Sequence, residues 1–131
     1  MDDQLLADRR VLIVEDEMLV LMAIEDMLDD LGCTSVAAAA NIERALALIE
    51  AEPFDIAILD VNLDGKRSYP VAQALNNRGV PFAFSTGYGG HGVDEGYGNR
   101  SVLSKPYDNA QLVKVLKALL EPAESSSSAA G

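Results

Sequence analysis

Acidic, hydroxyl and basic residues in this chain gather immediately after short apolar runs. Glu15-Asp16 follows Val11-Leu12-Ile13-Val14, and Asp60 follows Phe54-Asp55-Ile56-Ala57-Ile58-Leu59. Ser85 and Thr86 close the run that begins at Val80, and Lys105-Pro106 follows Arg100 to Ser104. If these runs are parallel strands of one open sheet, their carboxyl ends share the edge where such sheets bind ligands. Three carboxylates converging there repel one another. Two unit charges about 4 Å apart cost about 4 kcal/mol at an effective dielectric of about 20. A divalent cation removes that cost, and an all-oxygen donor set with room for water favours Mg²⁺. The Lys105 ammonium and the Thr86 hydroxyl add hydrogen-bond donors. Donors beside a metal-bound carboxylate suit a phosphoryl group carried on that carboxylate. Asp60, at the end of the most apolar run, is the central candidate. Singly, each residue has an ordinary reading as a solvated turn residue or a surface lysine. The argument rests on four strands delivering complementary groups to one edge.

The elements that must position these groups are legible in the hydrophobic periodicity. Val11 to Val14 reads as a strand buried on both faces. Leu21, Ile24, Leu28 and Leu31 recur at helical spacing before Gly32, which predicts a helix ended by a glycine cap. Thr34 to Ala39 is a weak strand, and Asn41 can cap a helix carrying Ala45, Leu48 and Ile49. Phe54 to Leu59 is a strong strand running into Asp60. A helix from Ser68 or Tyr69 through Ala72 and Leu75 ends at Gly79. Val80 to Ser85 and Arg100 to Ser104 are the fourth and fifth strands. Asp108 and Gln111 have capping-box spacing at the start of a last helix with Leu112, Val115, Leu116 and Leu119. Strands alternating with helices imply an α/β fold, a doubly wound five-stranded parallel sheet with helices on both faces. Residues 87–98 hold six of the ten glycines. A helix there costs about 1 kcal/mol per glycine relative to alanine, so the expectation is a short or disordered fourth helix.

The 131 residues fit one domain, expected to span 8–121 between a flexible leader at 1–7 and a disordered Ser/Ala-rich tail at 122–131. That tail is too short to fold into an output domain. A net charge of −11 disfavours contact with a phosphate backbone, so no nucleic acid is expected. A single cysteine, Cys33, excludes an internal disulfide framework and fits a cytoplasmic protein. The acidic start has the wrong sign for a secretory signal, and the longest apolar run, Met18 to Ile24, is far too short to span a membrane.

At these residues the sequence resembles the receiver domain of two-component response regulators. The resemblance implies a flavodoxin-like fold in which Asp60 is the phosphoacceptor, Thr86 the switch hydroxyl and Lys105-Pro106 the family's Lys-Pro pair. It further implies that Asp16, Asp60 and the backbone carbonyl of Asn62 ligate Mg²⁺, with Glu15 assisting through water. Asp60 would take its phosphoryl group from the phosphohistidine of a sensor histidine kinase, and Lys105 and Thr86 would bind its oxygens. Pro81-Phe82-Ala83-Phe84-Ser85-Thr86-Gly87-Tyr88 is similar to the signature of the FATGUY receivers, with Ser85 where those carry alanine. Ordinary receivers place a switch aromatic three residues before the lysine; here that residue is Val102, as expected for the FATGUY group. Such receivers often stand alone and partner HWE-type or related kinases. The implied protein is a phosphoacceptor with at most slow autodephosphorylation, not an enzyme, and it signals through protein contacts or phosphate shuttling.

Other readings compete. Asp60, Asn62, Asp64, Gly65 and Ser68 mimic an EF-hand loop, but position 12, normally a bidentate glutamate, is Val71. A phosphatase of the haloacid-dehalogenase type needs a second aspartate as general acid two residues after the first, where this chain has Asn62. A pseudo-receiver that binds its partner without phosphorylation is the alternative from a different functional class. His91 reads as solvated. Tyr69, Tyr88, Tyr97 and Tyr107 are expected in loops on the active face, and Tyr88 or Tyr97 is the candidate switch in place of the missing aromatic. The first helix carries more apolar residues than one stripe requires, including Met18, Leu19 and Met22, which suggests a docking or dimer surface.

Overall fold

The computed structural model describes residues 4–63, 65–86, 102–104 and 107–120. The chain runs β1 (Arg10–Val14), α1 (Met18–Asp30), β2 (Ser35–Ala39), α2 (Ile42–Ala51), β3 (Ile56–Asp60), β4 (Asn62–Leu63), β5 (Lys66–Arg67), α3 (Tyr69–Asn77), β6 (Phe82–Thr86), β7 (Val102–Ser104) and α4 (Asn109–Leu120). Five of the strands form one parallel sheet in the order β2-β1-β3-β6-β7. The doubly wound α/β sheet expected from the alternation of elements is therefore present, with four helices among the described residues.

The alternation of side chains along each strand explains the two cores. Leu12 and Val14, Ala57 and Leu59, and Phe82 and Phe84 face one side, where they meet Ala45 and Ile49 of α2 and Val71, Ala72 and Leu75 of α3. Val11 and Ile13, Ile56 and Ile58, and Ala83 face the other, against Ile24 and Leu28 of α1 and Leu112 and Leu116 of α4. Burial on both faces is why these strands read as unbroken apolar runs rather than as alternating ones. The edge strand β2 buries only one of its five residues, Ala39, which accounts for its weak pattern.

The helix ends are set by local chemistry. Asn41 Oδ1 accepts from the Arg44 amide at 2.7 Å and opens α2. Asp108 and Gln111 complete a reciprocal capping box before α4, each backbone N–H donating to the other's side chain at 2.9 Å. Gly32 and Gly79 take φ of +84° and +70°, which lets the next residue's N–H reach back to Leu28 and Leu75 and close α1 and α3.

Three features depart from the reading of the sequence. Leu6, assigned to a flexible leader, is fully buried against the α1/α4 side, and its N–H donates to the Leu31 carbonyl at 2.9 Å. The acidic composition around it concealed one apolar anchor. The pairing of β4 with β5 in an antiparallel hairpin was not expected, because two-residue strands carry no periodicity. Tyr69 is the first residue of α3 rather than a loop residue, buried and edge-to-face with Phe84 at 6.0 Å, whereas Tyr107 does lie in the connection between β7 and α4 but is buried on the α1/α4 side. One boundary also shifts slightly, since β6 begins at Phe82 and includes Thr86; residues 100 and 101, ahead of β7, lie outside the described residues. The glycine-rich interval with its expected fourth helix, and the tail at 122–131, lie outside the described residues.

Candidate functional site

The strand order has one consequence for chemistry. From β1 the chain crosses to β2 on one side, and β3 then returns to the other side of β1. Connections leaving β1 and β3 in opposite directions open a crevice at the carboxyl ends of those two strands. Glu15 and Asp16 leave β1 there, and Asp60 ends β3 beside them. One carboxylate oxygen from each of the three lies within 4.8 Å of the others. Glu15 and Asp60 are 1% and 6% exposed, whereas Asp16 faces solvent. The cluster is therefore anchored in the sheet and open on one side.

Backbone amides help to aim two of these groups. The Glu17 N–H donates to Glu15 Oε2 at 3.1 Å, and the Asn62 N–H donates to Asp60 Oδ1 at 3.2 Å. The segment after Asp60 is held on both sides. Val61 donates its N–H to the Ser85 carbonyl at 3.2 Å and accepts from the Ser68 N–H at 2.9 Å. The β4–β5 hairpin then leads into α3 directly, so Asn62 stays beside the acids. An all-oxygen set of this kind matches a hard cation such as Mg²⁺, which keeps several waters and needs few protein ligands. The same set carries nothing suited to a soft metal.

Thr86 ends β6, buried at the same edge. The residue paired with Asp60 itself, however, is Ser85. Asp60 shares the facing of Ile56 and Ile58, and Ser85 shares that of Ala83, so both lie on the α1/α4 side of the sheet. The sequence marks Ser85 only as a strand-end hydroxyl and does not pair it with Asp60. The missing information was the register between β3 and β6. Lys105, Pro106, Tyr88, Tyr97 and His91 lie outside the described residues. Asn62 is present beside the cluster, and its amide is already engaged with Asp60.

The model of the response regulator receiver domain matches residues 11–117. The chain belongs to that family. No curated protein sequence matches it. Among solved structures, this receiver is similar to SdrG from Sphingomonas melonis Fr1, with 45% identity and a TM-score of 0.79 over 86% of this chain and 97% of that one. It is similar to the BeF₃-activated conformation of SdrG from Pseudomonas melonis Fr1, with 43% identity and a TM-score of 0.76 over 92% and 100% of the two chains. The receiver domain of PhyR from Erythrobacter litoralis matches at 25% identity and a TM-score of 0.75, covering 88% of this chain and 95% of that one. The expected flavodoxin-like receiver fold is thus observed, and two-component signalling is the setting in which receivers of this family work, opposite histidine kinases. No helix among the described residues is long and apolar enough to cross a membrane.

Proposed function

We propose that this receiver accepts a phosphoryl group on Asp60 from the phosphohistidine of a sensor histidine kinase and signals through the protein contacts that follow. The observation that carries this reading is the convergence of Glu15, Asp16 and Asp60 within 4.8 Å at the crevice between β1 and β3. In the transfer, an Asp60 carboxylate oxygen attacks phosphorus as the bond from phosphorus to the histidine nitrogen breaks. Asp16, Asp60 and the Asn62 carbonyl are the proposed Mg²⁺ ligands, with Glu15 acting through water. Bound there, Mg²⁺ would neutralise charge on the transferring group and on the acids around it. Thr86 and Lys105 are assigned to the phosphoryl oxygens.

The segment from Pro81 to Tyr88 supports placing the chain in the FATGUY group, with an HWE-type or related kinase as donor. The likeness to SdrG, solved in a BeF₃-activated conformation, supports a domain with a distinct activated state. Tyr88 or Tyr97 is proposed to report phosphorylation where Val102 replaces the usual aromatic. On α1, Met18, Leu19 and Met22 are 66%, 82% and 52% exposed, and this apolar face beside the acids is the proposed kinase-docking surface. The reading makes the protein a cytoplasmic phosphoacceptor, not an enzyme, with autodephosphorylation at most a slow side reaction.

The test is an amide NMR spectrum recorded with Mg²⁺ and then with beryllofluoride. Wild type is expected to shift at residues 60–65, at 85–104 and at Lys105, and Asp60→Asn to remain unchanged. A folded wild-type spectrum with no response to beryllofluoride would replace this reading with that of a phosphorylation-independent binding module.

A further inference from the structure

Ser85 is 1% exposed, and its Oγ has no hydrogen-bond partner. A buried hydroxyl in that condition is rare, because serine ordinarily turns its hydroxyl toward a nearby acceptor. On its face of the sheet the flanking residues are Asp60 in β3 and Leu103 in β7, with Ala83 behind it in its own strand. The parallel ladders on both sides engage the strand backbone, and the Ser85 carbonyl already accepts from the Val61 N–H. Among the described residues, the one polar side chain next to Ser85 in its row is the proposed phosphoacceptor. The strand pairings also prevent Ser85 from leaving; only its χ1 can change.

We propose that Ser85 is a positioning residue for the phosphorylated form: its hydroxyl, unbonded in the unloaded chain, donates to the oxygens carried by Asp60 once a phosphoryl group is attached. This rests on the reading of Asp60 as phosphoacceptor. The energetic logic is differential. An unsatisfied buried hydroxyl penalises the unloaded state, and the bond formed on loading removes that penalty and favours the loaded state. Ser85 therefore tilts the equilibrium toward the loaded conformation, a task distinct from that assigned to Thr86. Alanine at this position keeps the backbone and the packing and removes only the tilt.

Ser68 provides the control. Its Oγ is also buried and unpartnered, but it lies before α3 rather than in the Asp60 row, and it makes no side-chain cap bond. Wild type, Ser85→Ala, Ser68→Ala and Asp60→Asn would be compared by urea unfolding in Mg²⁺ and by titration with beryllofluoride. Ser85→Ala is expected to raise the unloaded midpoint while weakening the apparent beryllofluoride affinity by about tenfold. Ser68→Ala is expected to raise the midpoint and leave the affinity unchanged. An unchanged affinity in Ser85→Ala, with wild type responding, overturns the proposal and leaves the phosphoacceptor reading intact. A lowered unloaded midpoint or failure to fold in Ser85→Ala overturns it too, since the hydroxyl would then already be bonded in solution. Loss of affinity in both serine variants would reduce the effect to general loosening and also overturn it. No response in wild type fails the phosphoacceptor reading first and the proposal with it.

Discussion

Cys33 sits where α1 hands over to β2, and its Sγ–H points at the carbonyls of Ser35 and Arg9, at 3.6 and 3.8 Å. Burial pushes its thiol pKa up; the backbone contact at Ser35 offsets part of this, and the nearby Asp29 carboxylate adds to it. The folded chain therefore holds this proton to higher pH than the unfolded chain does. Stability falls wherever the folded state binds more protons, so this contribution is intact below the ordinary thiol range and declines as pH rises through that range toward the raised folded value. Native protein is expected to resist alkylation at neutral pH and to label quickly in urea. In Cys33→Ala the alkaline decline in urea midpoint should be shallower than in wild type; an equal slope would assign the decline to other groups. The same scale shows how much of the site was legible. Glu15, Asp16 and Asp60 are recognisable because charged residues that interrupt apolar runs are conspicuous. Ser85 is not, because a hydroxyl at a strand end gains its meaning only from the residue opposite.

At the scale of elements, local rules account for the ends of the helices and tertiary contacts for the rest. Asn41, Gly32, Gly79 and the Asp108–Gln111 pair each act within a few residues, and each was recognisable by type and spacing. The β4–β5 hairpin and the anchoring of Leu6 depend on partners that periodicity does not encode. Helix α1 presents two faces: Ile24 and Leu28 enter the core, while Met18, Leu19 and Met22 remain in solvent. Exposed side chains contribute little to the fold, so alanine at these three positions should change unfolding free energy by less than about 0.5 kcal/mol each. If the face docks the kinase, phosphotransfer to the triple variant slows while beryllofluoride binding is retained. A triple variant that accepts phosphoryl at the wild-type rate would remove α1 from the interface.

At the scale of the whole molecule, the acids carry a cost that the apolar sheet sustains. Glu15 and Asp60 are held in the crevice by β1 and β3, whose side chains are buried on both faces. A cation that binds only the assembled cluster must stabilise the fold by mass action. Free Mg²⁺ at about one hundred times its dissociation constant should raise unfolding free energy by about 2.7 kcal/mol. Calorimetry across a Mg²⁺ series should show this rise in wild type and a much smaller one in Asp16→Asn. An unfolding temperature that does not respond to Mg²⁺ would argue against a cation site formed by these residues.

The sequence alone determined the order of the helices and of the five strands of the main sheet, the parallel sheet, the helix caps and the identity of the acidic residues. Each of these follows from interactions within a few residues or from the periodic burial of one element. Tertiary structure decided what depends on register and crossing: that β1 and β3 are neighbours, that Asp60 pairs with Ser85, and that Tyr69 and Tyr107 belong to the core. Which strand lies beside which, and which residues stand opposite, is set by how all the apolar faces pack together, and no single segment carries that information.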